Sequence, residues 1–132
     1  MKLQGAFLLL MSFNSITYAN SILPDSNAPF SQRPDVLEAS QGVPQINIQT
    51  PSPAGVSRNQ YSQFDIEQRG AILNNASDKV ETQLAGQIAG NPHLANGAAR
   101  VILNEVTFPR KNGQDTKRLF CLQTQRGSNS PI

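Results

Sequence analysis

The sequence predicts an all-β fold and, within that class, a β-solenoid. Three features carry the expectation: apolar residues alternate over stretches of strand length, turn residues separate those stretches, and the strands are too polar between apolar positions for a thick core. A coil with a narrow inside and a wet outside suits such strands, because each coil buries its small apolar set against the coils above and below. A β-sandwich also meets the strand pattern, and no strict internal repeat separates the two.

The elements follow in chain order. Residues 20–41 contain Pro24, Pro29 and Pro34, each of which removes a backbone donor and biases its predecessor toward extended geometry, so an extended lead-in is expected. Within residues 42–50, Ile46 and Ile48 alternate with Asn47 and Gln49, the period of a half-buried strand. Thr50-Pro51-Ser52-Pro53-Ala54-Gly55 breaks it. Tyr61, Phe64 and Ile66 mark the next strand, Arg69-Gly70 a break, and Ala71-Ile72-Leu73 a short apolar strand closed by Asn74-Asn75. Residues 78–89 support two readings. Val80, Leu84 and Ile88 fall at helical spacing and Asp78 with Glu81 suits a capping pair, whereas Gly86 and Gly90 favour an irregular loop ending in a strand. Residues 91–97, NPHLANG, hold two turn dipeptides and are expected to project as a loop. Residues 99–106 follow as a strand whose adjacent Val101, Ile102 and Leu103 suggest cover on both faces.

The ends differ from this body. Residues 1–19 read as a signal peptide: Lys2 gives the positive start, residues 6–13 the apolar stretch, and Thr17 and Ala19 the small residues before a cut that leaves Asn20 first. The apolar stretch is far below the ~20 residues that cross a bilayer, so an exported chain is expected, not an anchored one. Cys121 is the single cysteine, which excludes an internal disulfide. Residues 20–106 carry five basic and eight acidic side chains, net −3, while residues 107–132 carry five and one, net +4. That basic tail reads as unrelated to the body and disordered. Its charge would suit nucleic acid, but an exported chain rarely meets any, so no nucleic-acid partner is expected.

Reactive chemistry finds little support. His93 is the only histidine and no nucleophile elbow is present, so a turn residue beside Pro92 is the better reading. One histidine and one cysteine cannot make a zinc site. Asp65 with Glu67, and Asp78 with Glu81, read as solvated charges; a carbohydrate-active β-helix remains the minor enzymatic alternative.

Two blocks resemble a known family. Residues 42–75, GVPQINIQTPSPAGVSRNQYSQFDIEQRGAILNN, resemble the opening of the haemagglutination-activity, or two-partner-secretion, domain of filamentous haemagglutinins and contact-dependent inhibition exoproteins. Residues 87–106, QIAGNPHLANGAARVILNEV, are similar to its next characteristic block, including an Asn-Pro-x-Leu motif and an Asn-Glu-Val strand. The resemblance spans residues 20–106 and implies a right-handed parallel β-helix at the front of a long secreted adhesin. An outer-membrane transporter with periplasmic docking domains would bind the chain unfolded or partly folded and thread it outward to fold at the bacterial surface, where it would support adhesion to a host cell. The residues implied in transporter recognition are Asn91, Pro92, His93, Leu94, Asn104 and Glu105. No catalysis, metal or cofactor is implied.

A family member would continue past Val106 with more strands and a second Asn-Pro motif. Here residues 107–132 differ in charge and pattern, which suggests a tail translated from a shifted reading frame and a truncated, non-functional remnant; a short paralogue with its own tail is the alternative. Strands missing from the gene's other frames downstream would count against the frameshift. Residues 42–106 would then hold about three coils with an uncapped, aggregation-prone last edge and marginal stability, which a thermal melt measures.

Overall fold

The computed structural model describes residues 21–123, which form nine strands and three 3-10 helices, with no α-helix among them. The expected signal peptide and the end of the tail, from residue 124, lie outside the described residues. In chain order the strands are β1 (Ile22–Pro24), β2 (Asp35–Glu38), β3 (Pro44–Asn47), β4 (Val56–Phe64), β5 (Ile72–Asn74), β6 (Val80–Thr82), β7 (Gly86–Ile88), β8 (Val101–Phe108) and β9 (Thr116–Gln123). They pair as a sheet ordered β1-β4-β8-β9, a sheet ordered β2-β3-β5, and the pair β6-β7. The all-β expectation holds.

Two pairings are parallel: β3 with β5, aligning Asn47 with Asn74, and β4 with β8, from Val56↔Val101 to Tyr61↔Val106. Each sets a later strand beside an earlier one in the same direction. The turn at Gly55 aligns the second pairing. Gly55 has φ 83°, and its carbonyl accepts from Arg100 N (2.7 Å) and Val101 N (3.0 Å), which fixes where β8 starts against β4. A Cβ there would lie 2.7 Å from Arg100 Cδ, so glycine is required by space as well as by φ. Between the sheets lies the main core: Ile22, Ile46, Ile48, Tyr61, Ala71, Leu73, Leu94, Ala99, Ile102 and Val106. A smaller cluster of Val43, Ile72, Ala85 and Ile88 sits beside it. Each large aliphatic side chain buried this way contributes roughly 1.5–3 kcal/mol.

Several local expectations are revised. The lead-in is not merely extended, because β1 pairs antiparallel with β4, β2 pairs antiparallel with β3, and Ile22 enters the main core. Its prolines lie at strand ends and in the loops between, where the missing donor is harmless; Pro24 closes β1 beside a register shift. Residues 45–49 are buried on both faces, not one, so Gln45, Asn47 and Gln49 lie inside with Ile46 and Ile48. The helical reading of residues 78–89 does not hold, and the alternative holds only for its closing strand. These residues form the antiparallel hairpin β6–β7, with Val80 opposite Ile88 and Gly86 at φ 65° in the turn. Gly90 follows where the backbone passes close to residue 77, since a Cβ there would lie 2.1 Å from Ser77 O. The tail, expected to be disordered, carries β9, which pairs antiparallel with every residue of β8, so the edge expected to be open is covered. Thr116, Arg118 and Phe120 alternate toward the side of β8 that carries Phe108, Val106 and Asn104, and Gly113 at φ 76° makes the turn.

Candidate functional site

Asn91-Pro92-His93-Leu94 forms a tight corner between β7 and β8. Asn91 stays extended, and its side-chain oxygen accepts from His93 N at 2.9 Å, capping the 3-10 helix Pro92–Leu94. Pro92 occupies the first helical position, where a donor is not needed. The Asn91 amide nitrogen donates to Ile48 O and Asn74 O, both at 2.9 Å, and its backbone N–H donates to Ala76 O at 2.7 Å. One side chain therefore ties the corner to the ends of β3 and β5. Asparagine fits because it offers two donors and an acceptor on one plane, whereas aspartate would set charge against two carbonyls.

Leu94 turns inward and is 1% exposed within the main core. Pro92 is exposed, and His93 is partly so, with Nε2 2.6 Å from Asp35 Oδ2 on β2. Asn75 closes the loop beyond the corner: its amide donates to Ala99 O (2.9 Å) and accepts from Ala99 N (2.7 Å), as a strand neighbour would.

Asn104 and Glu105 are adjacent on β8 and face opposite sides. Asn104 is fully buried and its Oδ1 accepts from Tyr61 Oη at 3.0 Å. Burial pushes the Tyr61 phenol far above its ordinary range, which keeps it a donor here. Glu105 is 3% exposed; Arg58 Nε lies 2.8 Å from its Oε1 and Lys117 Nζ 3.7 Å from its Oε2. The six residues read from the sequence thus fall into two groups, and no hydrogen bond or ion pair among the described residues joins the groups. Four of them, Asn91, Leu94, Asn104 and Glu105, are interior.

Sequence reasoning missed the polar ladder that these asparagines extend. Asn74 Nδ2 donates to Asn47 Oδ1 and to Ala89 O, both at 3.0 Å, and Gln45 Nε2 donates to Asn47 Oδ1 at 3.2 Å. Beside it, Asn59 Oδ1 accepts from Gln49 N (2.9 Å), and Ser57 Oγ donates to Gln49 O (2.6 Å). Asn47 and Asn74 are in register across one parallel pair, Asn59 and Asn104 across the other. The available signal was asparagine recurring inside otherwise apolar strands, a residue type depleted there unless its amide is bonded.

No group of three or more His, Cys, Asp or Glu side chains that could hold a metal occurs among the described residues. Asp65, Glu67, Asp78 and Glu81 are exposed, and Glu67 pairs with Arg69 at 3.3 Å.

Comparison with known proteins places this geometry. The model of the TPS secretion domain family matches residues 20–111. The chain is 47% identical over 116 residues to the toxin CdiA of Yersinia pestis, covering 86% of this chain and 3% of that protein. It is 41% identical over 99 residues to a hemolysin of Proteus mirabilis, covering 75% of this chain and 6% of that protein. The chain therefore spans a few per cent of the length of the curated relatives it matches. Among solved structures it superposes on the filamentous hemagglutinin secretion domain with a TM-score of 0.57 at 30% identity, over 68% of this chain and 28% of that one. The resemblance read from residues 42–75 and 87–106 is borne out, and the match extends through the lead-in that β1 and β2 build into the fold. The chain belongs to the TPS secretion domain family.

Proposed function

We propose that this chain is the recognition module of a secreted filamentous-haemagglutinin-like exoprotein, a non-catalytic address that an outer-membrane two-partner-secretion transporter reads through periplasmic docking domains. The observation that carries the reading is the family match over residues 20–111. Two structural features support a sequence of events. Asn91, Leu94, Asn104 and Glu105 are buried in the folded chain, so a partner that reads them does so before they are enclosed. The parallel pairings of β3 with β5 and β4 with β8 suit a right-handed parallel β-helix, which gains contacts one coil at a time as the chain emerges. Recognition on the unfolded chain and folding outside are then successive uses of the same residues. Pro92 and His93 remain outward in the fold and belong to the same recognition segment. The product is secreted; display at the bacterial surface and adhesion to a host cell are proposed for the exoprotein as a whole.

Coexpression with the neighbouring transporter tests the proposal by the amount of chain released into the medium. Replacing Asn91 and Leu94 together is expected to abolish release. Because those changes also damage the fold, Pro92→Ala with His93→Ala provides the sharper arm: both side chains reach solvent, so release is expected to fall while the purified variant still folds. Undiminished release of both double variants overturns the proposal.

A further inference from the structure

Strand β8 is paired on both edges, in parallel with β4 over six residues and antiparallel with β9 over all eight of its own. A further coil would lay a parallel strand where β9 runs the other way. Residues 116–123 lie beyond the family-matched segment, yet they are anchored to it. Phe120 meets Phe64 with ring centroids 4.9 Å apart, and Phe64 meets Tyr61 edge-on at 4.8 Å. On the opposite side Lys117 Nζ approaches Glu105 Oε2 and lies 3.3 Å from Gln60 Oε1.

The fit is incomplete. Among the described residues, the buried side-chain polar atoms without a hydrogen-bond partner are Asn104 Nδ2, Glu105 Oε2 and Thr107 Oγ1, and all three belong to β8. Deeper in the fold, Asn47, Asn59, Asn74 and Asn91 are each bonded through both ends of the amide or to a neighbouring rung. Opposite Asn104, β9 supplies Phe120, which has no acceptor to offer. The edge of β8 is thus chemically prepared for a strand richer in amides and hydroxyls than the one that covers it.

We propose that β9 is a self-supplied, replaceable cap that covers the strand-pairing edge of β8 and keeps a second copy of this chain from taking it. An uncovered edge strand is a template for another chain, and a second copy presents the same strand in a self-complementary arrangement. The inference concerns residues outside the family match, so it stands or falls apart from the transporter reading.

Cys121 supplies the test. It is exposed and in register with Leu103, and paired strand residues have Cα separations that a disulfide can span. Mild oxidation of the purified Leu103→Cys chain is expected to close a disulfide within one molecule, read as a monomer-sized band without reductant. Failure to close in a folded chain, or linkage into dimers, overturns the proposal. A second variant, Leu119→Pro, breaks β9 at a side chain that is 62% exposed, so core packing is spared. In dilute monomer, exchange of the β8 amides that face β9 is expected to quicken by about a hundredfold, and at higher protein concentration the monomer is expected to give way to dimers and larger species. A Leu119→Pro chain that stays monomeric with β8 still protected overturns it equally.

Discussion

The two ends of β8 are built by different means. At its entry, residues 91–100 are fixed by side chains: the Asn91 amide reaches two earlier strand ends, Leu94 fills the core, Asn75 clasps Ala99, and Gly55 receives Arg100 and Val101. At its exit, residues 109–115 are exposed and turn on a bond from Gly113 N to Arg110 O at 3.1 Å and one from Gln114 N to Asn112 Oδ1 at 3.3 Å. The entry is therefore specified by long-range contacts that few other sequences would supply. The exit is a hairpin turn that many sequences would make. The difference teaches that the Asn-Pro-x-Leu corner is what ties β8 to the ends of β3 and β5.

The largest effects belong to the entry. Asn91→Ala leaves two buried carbonyls and the His93 N–H without their partner, and at ~1–3 kcal/mol for each unsatisfied group the domain loses most of a small domain's stability. Leu94→Ala is expected to cost about 2–5 kcal/mol, because the side chain is enclosed and the cavity is walled by strands that cannot collapse into it. Urea titration of both variants measures these losses, and a change in midpoint no larger than that of a surface variant would break the contrast between the two ends.

Tyr61 gives an intermediate effect with a defined pH window. Its folded-state pKa is raised by desolvation above the unfolded value near 10, so the stability it contributes is complete below pH 10. Above that pH the unfolded chain releases a proton that the folded chain holds, and stability falls as pH rises. Alkaline unfolding is expected to begin above about pH 10, and Tyr61→Phe is expected to flatten that slope while removing the bond to Asn104 at neutral pH. Circular dichroism across pH 8–12 reads both effects.

The sequence showed strands where apolar periodicity or turn pairs were strong, as at Ile46 and Ile48, Ala71 to Leu73, and Val101 to Val106. It hid those whose partners are remote: β1 is three residues long and is a strand because β4 lies beside it. In residues 78–89 the spacing of Val80, Leu84 and Ile88 imitates a helix, because a hairpin with a short turn also returns Ile88 opposite Val80. The Asn-Pro-x-Leu motif was legible as a turn and as a family mark. Its two long-range amide bonds were not, since Ile48 and Asn74 lie 43 and 17 residues away in sequence.

The smallest effect is expected at His93, the member of the corner that faces solvent. Its Nε2 lies 2.6 Å from Asp35 Oδ2, but the two side chains are 28% and 51% exposed, so water screens the pair. His93→Ala is expected to change stability by less than about 1 kcal/mol, a small fraction of the loss at Asn91 two residues earlier. That gap separates the corner's roles. A side chain that barely matters to the fold and still lowers release from the cell contributes through recognition, whereas Asn91 affects release through either route. Measuring both quantities on His93→Ala therefore separates the proposed address from architecture.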